Sequence, residues 1–121
     1  MTETIGKVTL NLDKYPGEDY YCDGSVADEI MEIVKNYSTV EYDRIIAERK
    51  SWPILYHLSA LRENILDFLP IKKTDKVLEV GSGCGAITGA LSRKAGSVTC
   101  VDLSKKRSLI NAYRHSESEN V

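Results

Sequence analysis

No Cys-x-x-Cys pair occurs in this 121-residue sequence, and its three cysteines, Cys22, Cys84 and Cys100, leave an odd count. Free thiols in a reducing cytoplasm are therefore expected, with neither a disulfide framework nor a metal site. No apolar run approaches the roughly 18 residues of a membrane span, so no membrane contact is expected. The start, Met1-Thr2-Glu3-Thr4, lacks the basic and apolar blocks of a signal peptide, which again points to the cytoplasm. Neither sign of charge dominates: 16 basic against 18 acidic residues give a net charge of -2 and a pI near 5.7. A strongly basic nucleic-acid surface is thereby excluded as the main theme. Internal repeats and low-complexity linkers are also absent. What remains, 42% hydrophobic and 28% charged residues, is the composition of a folded domain.

The N-terminal part reads as mainly helical after one strand. Val8-Thr9-Leu10-Asn11-Leu12 alternates apolar and polar side chains, the pattern of a half-buried strand. Pro16-Gly17 marks a turn among Tyr15, Tyr20 and Tyr21, whose rings either line a mouth or cover a small core with wet hydroxyls. Ser25 with Asp28, and Ser38 with Glu41, have the spacing of capping boxes that open helices. Pro53 suits the first turn of a third helix. That helix is predicted to run to about Leu69, with Ile54, Leu58, Leu61, Ile65 and Phe68 on one stripe and Pro70 closing it.

After Pro70 the period changes. Lys76-Val77-Leu78-Glu79-Val80 is a β-rich run that enters Gly81-Ser82-Gly83-Cys84-Gly85. A helix from about Ala86 to Ala95 follows, stopped by Gly96. Ser97-Val98-Thr99-Cys100-Val101 is a second β run ending at Asp102, and Ser104 caps a further helix carrying Leu109, Ile110 and Tyr113. Strand, glycine turn, helix, strand is a βαβ unit with a right-handed crossover expected. The fold class is α/β, with residues 1–70 a mainly helical extension and 71–121 the start of a nucleotide-type βαβ domain.

Glycines so spaced let a ligand approach backbone without meeting a Cβ. Gly81, Gly83 and Ala86 match the dinucleotide pattern G-x-G-x-x-G/A, while Gly81, Gly83 and Gly85 match the G-x-G-x-G loop of enzymes using S-adenosylmethionine. No Gly-Lys-Ser/Thr follows, which argues against a phosphate-cradling P-loop. Asp102, about 20 residues past the first glycine, suits the ribose hydroxyls of either cofactor. Glu79 discriminates. A carboxylate about 5 Å from a pyrophosphate charge would oppose it by roughly 3 kcal/mol at an effective dielectric near 20, whereas a sulfonium and an ammonium are attracted.

The run Val77 to Gly85, followed by Val98 to Asp102, resembles the first two motifs of class I S-adenosylmethionine-dependent methyltransferases. Ala86-Ile87-Thr88 and Leu91 are also similar to the rRNA adenine dimethylase branch. Trp52-Pro53, Tyr56-His57-Leu58-Ser59 and Arg62-Glu63-Asn64 resemble bacterial methyltransferase domains associated with surface glycans. The resemblance implies S-adenosylmethionine held by the backbone of Gly81, Ser82, Gly83, Cys84 and Gly85. Glu79 would orient its ammonium, Asp102 would bind ribose and Leu103 would lie against adenine. It names no catalytic residue. The acidic pI favours a small molecule or glycan over RNA as acceptor.

A class I sheet has seven strands, and two are recognisable here, so an incomplete, truncated sheet is expected, with open edges that self-associate. The competing readings are an NAD-binding oxidoreductase half-domain and a non-catalytic module completed by another polypeptide. His57 and Arg62 are read as structural before functional, His115 as solvated, and Lys105-Lys106-Arg107 as a solvated face. Cys84 is read as a small residue filling the turn.

Overall fold

The N-terminal alternation folds back on itself. A computed structural model describes residues 1–21 and 24–121; Cys22 lies outside the described residues. In it, β1 (Thr2–Ile5) and β2 (Val8–Asn11) form an antiparallel hairpin, with Ile5 opposite Val8 across the two-residue turn Gly6-Lys7. The sequence pattern shows only the second strand, because β1 carries no buried side chain. The hairpin docks on the far end of the chain: Lys7 N–H donates to the Ser116 carbonyl at 2.6 Å, and Val8 and Leu10 pack against Ala112.

Helices α1 (Ser25–Asn36), α2 (Tyr42–Arg49) and α3 (Trp52–Leu58) come next. The Ser25 capping box does not form. Helix α1 begins one residue earlier, at a Gly24 cap without a side-chain bond, and Asp28 instead meets Lys106 Nζ at 2.6 Å. The Ser38 start is as expected, its N–H donating to the Glu41 carboxylate at 2.9 Å, although a 3₁₀ turn over Thr39–Glu41 precedes α2.

The third helix is much shorter than its stripe predicts. Ser59 turns extended, with φ -64° and ψ 131°, its hydroxyl accepts Leu61 N–H at 3.3 Å, and the chain continues as a 3₁₀ helix over Ala60–Leu66. Three residues per turn instead of 3.6 rotate the stripe off its line. Ile54 and Leu58 stay in the core, while Leu61, Ile65 and Phe68 are exposed and Leu66 is buried in their place.

From Lys76 onward the expected elements recur: β3 (Lys76–Val80), α4 (Thr88–Lys94), β4 (Ser97–Val101) and α5 (Lys105–Arg114). The two strands pair in parallel, Lys76 with Ser97 through Val80 with Val101. The sheet is thus the small, incomplete α/β sheet that the motifs imply. Leu78 and Val80 are exposed. The outer edge of β4 is not wholly open, because Val98 N–H donates to the Asn120 carbonyl at 2.7 Å.

One hydrophobic cluster joins Ile30, Ile33, Ile45, Ile54 and Leu58 of the helical part to Cys84 and Ile110; a second sets Leu66 against Ala90, Leu91, Ala95 and Val98. Among the described residues no helix is long and apolar enough to cross a membrane.

Gly96 serves a different purpose from the expected helix stop. Helix α4 ends on Ala95 in extended conformation, and a Cβ on Gly96 would lie 2.3 Å from the Lys73 carbonyl oxygen. Its role is close approach of the strand entry to the preceding loop. Gly96→Ala is therefore expected to destabilise the fold by about 1–3 kcal/mol, the usual cost of overpacking, in urea unfolding. An unchanged midpoint would show that the 71–75 loop yields freely.

Candidate functional site

The glycine loop is closed onto the end of β4 by backbone bonds. Gly81 and Ser82 N–H both donate to the Val101 carbonyl, at 2.7 and 3.2 Å, and Gly85 N–H donates to the Ser82 carbonyl at 3.0 Å. Gly83 N–H donates to Asp102 Oδ2 at 2.8 Å, and Ser104 N–H to the other oxygen of the same carboxylate at 2.9 Å. Asp102 therefore braces the loop and the start of α5 together. In α5 itself, Ser104 Oγ accepts Arg107 N–H at 3.1 Å, the cap expected from the sequence.

The three loop glycines divide the work. Gly81 and Gly83 have φ of 72° and 55°, and a Cβ on either would meet nothing within 4 Å, so both border open space that a ligand can enter. Gly85 faces inward, where a Cβ would lie 2.2 Å from Asn111 Oδ1, so its hydrogen lets α5 pack against the loop. Ser82 and Cys84 are buried. The Cys84 side chain joins the core, as a turn-filling residue should, leaving backbone as its means of touching a ligand. Val80, Gly81, Val101, Asp102 and Leu103 share a cleft of about 420 Å³ with Tyr21 and Arg107. Leu103 is exposed on its wall. A larger groove of about 620 Å³ runs beside it, between β2 and β4.

Glu79 sits beneath the loop, only 7% exposed. Thr88 Oγ1 donates to its Oε2 at 2.6 Å and Cys100 Sγ at 3.4 Å; Asn111 Nδ2 donates to Thr88 Oγ1 at 3.2 Å. Burial raises the Glu79 carboxyl above its ordinary value, against the opposing pull of the Thr88 and Cys100 hydrogen bonds and of the Arg62 charge. Burial, together with the Glu79 charge, pushes the Cys100 thiol up to about 11, so it stays protonated and can donate.

His115 is not solvated. Its Nδ1 lies 2.7 Å from Asn111 Oδ1, and burial followed by the Arg114 charge lowers it to about 4, so it is neutral beside the network. The basic run is also committed: Lys105 pairs with Glu3 at 3.0 Å and Lys106 with Asp28.

Sequence reasoning missed the contacts made across the chain. Arg114 donates to the His57 carbonyl at 2.7 Å and the Cys84 carbonyl at 3.3 Å, tying α3 to the glycine loop. Arg62 lies over the Tyr56 ring at 4.3 Å. Asp19 accepts Ser104 Oγ at 2.7 Å and Lys106 N–H at 2.9 Å. Burial pushes the Asp19 carboxyl up, but the Lys106, Ser104 and Tyr21 hydrogen bonds and the Arg107 charge outweigh it and hold it below its usual value. No local pattern announces these partners, which are 85 and 87 residues apart for Asp19.

Comparison with known proteins adds four likenesses. A model of the protein-L-isoaspartate(D-aspartate) O-methyltransferase family matches residues 35–118. A ribosomal RNA small subunit methyltransferase A from Borrelia garinii is 36% identical over 69 residues, 56% of this chain and 25% of that protein. An rRNA adenine N-6-methyltransferase from Bacillus licheniformis is 46% identical over 52 residues, 43% of this chain and 18% of that one. This chain thus matches no more than about a quarter of the length of these curated relatives. Among solved structures, Haemonchus contortus phosphoethanolamine N-methyltransferase 1, in complex with phosphoethanolamine and S-adenosylhomocysteine, superposes with a TM-score of 0.51 at 20% identity. It covers 83% of this chain and 22% of its own, a likeness of fold.

The raised Glu79 carboxyl has a thermodynamic signature. Between the ordinary value of 4.5 and the raised folded value, the folded state holds more protons than the unfolded one, so stability falls as pH rises through that window. Glu79→Gln removes the penalty. Its stability relative to the parent is expected to improve as pH rises from the ordinary carboxyl value and to level off above the raised folded value in urea unfolding. A difference independent of pH would mean that burial does not act on this carboxyl.

Proposed function

Since the chain belongs to the protein-L-isoaspartate(D-aspartate) O-methyltransferase family and carries the class I S-adenosylmethionine-dependent methyltransferase fold, we propose that its glycine loop holds S-adenosylmethionine for methyl transfer. The observation that carries this reading is the buried Glu79 carboxylate under a loop whose Gly81 and Gly83 border open space. Burial makes the ionised carboxylate costly, and an ammonium arriving above it offsets that cost. A pyrophosphate would add to it, so the nicotinamide alternative is disfavoured by charge as well as by family.

Bound there, S-adenosylmethionine would supply an already activated methyl group. The remaining work is that of this chain's own residues. Gly81 and Gly83 give an approach free of Cβ atoms, and Glu79, held by Thr88 and Cys100, fixes the ammonium. Asp102 lies at the ribose end with both oxygens already accepting one backbone N–H each, and each keeps a second lone pair for a hydroxyl donor. Leu103 offers an apolar wall for adenine. Positioning of this kind, with exclusion of water, is the main protein contribution when the leaving group is already activated.

For the acceptor we favour a small molecule or glycan over RNA. The net charge is -2, and Lys105, Lys106 and Arg93 are engaged with Glu3, Asp28 and Glu63 instead of forming a free basic stripe.

A thermal shift assay tests the cofactor assignment. S-adenosylhomocysteine at about a hundred times its Kd is expected to stabilise the chain by about 2.7 kcal/mol, about 10 °C for a domain of this size. NADH at the same concentration is expected to do nothing. Stabilisation by NADH alone would overturn the reading.

A further inference from the structure

Of the tyrosines near Pro16, Tyr21 lines the 420 Å³ cleft together with Asp102 and Leu103. It reaches the cleft from the loop between β2 and α1, more than 50 residues before the glycine motif. Tyr20, its neighbour, is 76% exposed and does not line the cleft.

A loop residue is useful in a binding site only if something holds it there. Asp19 does so. Its Oδ2 accepts Ser104 Oγ and Lys106 N–H at the start of α5, and its Oδ1 accepts Tyr21 N–H at 3.3 Å. Ser104 is also the residue whose N–H binds Asp102. One serine thus registers the tyrosine loop against the carboxylate assigned to ribose: its backbone serves Asp102 and its hydroxyl serves Asp19. Lys105, clamped by Glu3 at 3.0 Å, sits 5.8 Å from the Tyr15 ring and braces the same loop.

We propose that Tyr21 is a contact residue for the adenosine half of the cofactor, closing the cleft over it, and that Asp19 is the positioning residue that sets Tyr21 there. The inference rests on the S-adenosylmethionine reading above and extends it to the N-terminal loop. The ring supplies a flat apolar surface next to the Leu103 wall, and aromatic contact of that kind adds to the gain from burial. The phenol is not needed for this, so phenylalanine should substitute and alanine should not.

The test is calorimetric titration of the full chain with S-adenosylhomocysteine and with 5′-methylthioadenosine, which lacks the amino-acid end. Tyr21→Ala is expected to weaken both by a similar factor of about tenfold, and Tyr21→Phe neither. Asp19→Asn is expected to weaken both as well, and the double variant Asp19→Asn with Tyr21→Ala to lose no more than Tyr21→Ala alone. Two independent structural effects would instead add. Losses that add, or a Tyr21→Ala chain that binds like the parent, overturn this inference while leaving the cofactor assignment standing. A parent chain that takes neither ligand removes the cofactor assignment, and this inference falls with it.

Discussion

The carboxylate of Asp102 accepts one N–H from the glycine loop, at Gly83, and one from the first turn of α5, at Ser104. Charge-assisted bonds of this kind are the strong members of their class, each contributing about 1.5–3 kcal/mol where they are sheltered. Everything around the cleft depends on this bridge. It holds Gly81 and Gly83 facing open space, seats α5 so that Gly85 can meet Asn111, and brings the Ser104 hydroxyl within reach of Asp19. A strand end, a loop, a helix and a distant N-terminal segment are registered on one side chain.

The helical N-terminal part is joined to this arrangement rather than merely preceding it. Ile30, Ile54 and Leu58 share a core with Cys84 and Ile110, and the Arg114 guanidinium binds carbonyls on both sides, at His57 and Cys84. Burial lowers the Arg114 pKa, and the Tyr42 ring 5.4 Å away faces its charge. The loop is therefore clamped both by Asp102, at Gly83, and by Arg114, at Cys84. The orientation of Glu79 is set by Thr88 and, through Thr88, by Asn111. A site preorganised in this way spends little of its binding free energy on ordering the protein.

How much of this was legible depended on whether a partner was local. Both strands of the parallel pair were readable to the residue, because β-rich runs bounded by charge and glycine carry their own limits. Ser104 was readable as a cap for the same reason. The third helix was misread, since periodicity cannot register that Ser59 closes a local turn onto Leu61 N–H and changes the helix type. The first strand was invisible because it buries no side chain fully, with Ile5 half-covered against the Val8, Leu10 and Ala112 cluster. At the site, the glycines and the two acids stood out by spacing, whereas Asp19, Tyr21, Asn111 and Arg114 act through contacts that exist only once α5 is in place. His115 looked solvated from its polar neighbours, and its true surroundings come from the packing of α5 against the loop.

The central claim is that the Asp102-braced loop is a seat for S-adenosylmethionine. An NMR titration of the isotope-labelled chain with S-adenosylhomocysteine tests it most directly, because the loop amides report individually. The account predicts that the N–H signals of Gly81 to Gly85, Leu103 and Ser104 move together and saturate, while those of the β1–β2 turn stay still. Shifts confined to other parts of the molecule, or loop signals that respond to NADH and ignore S-adenosylhomocysteine, would contradict it.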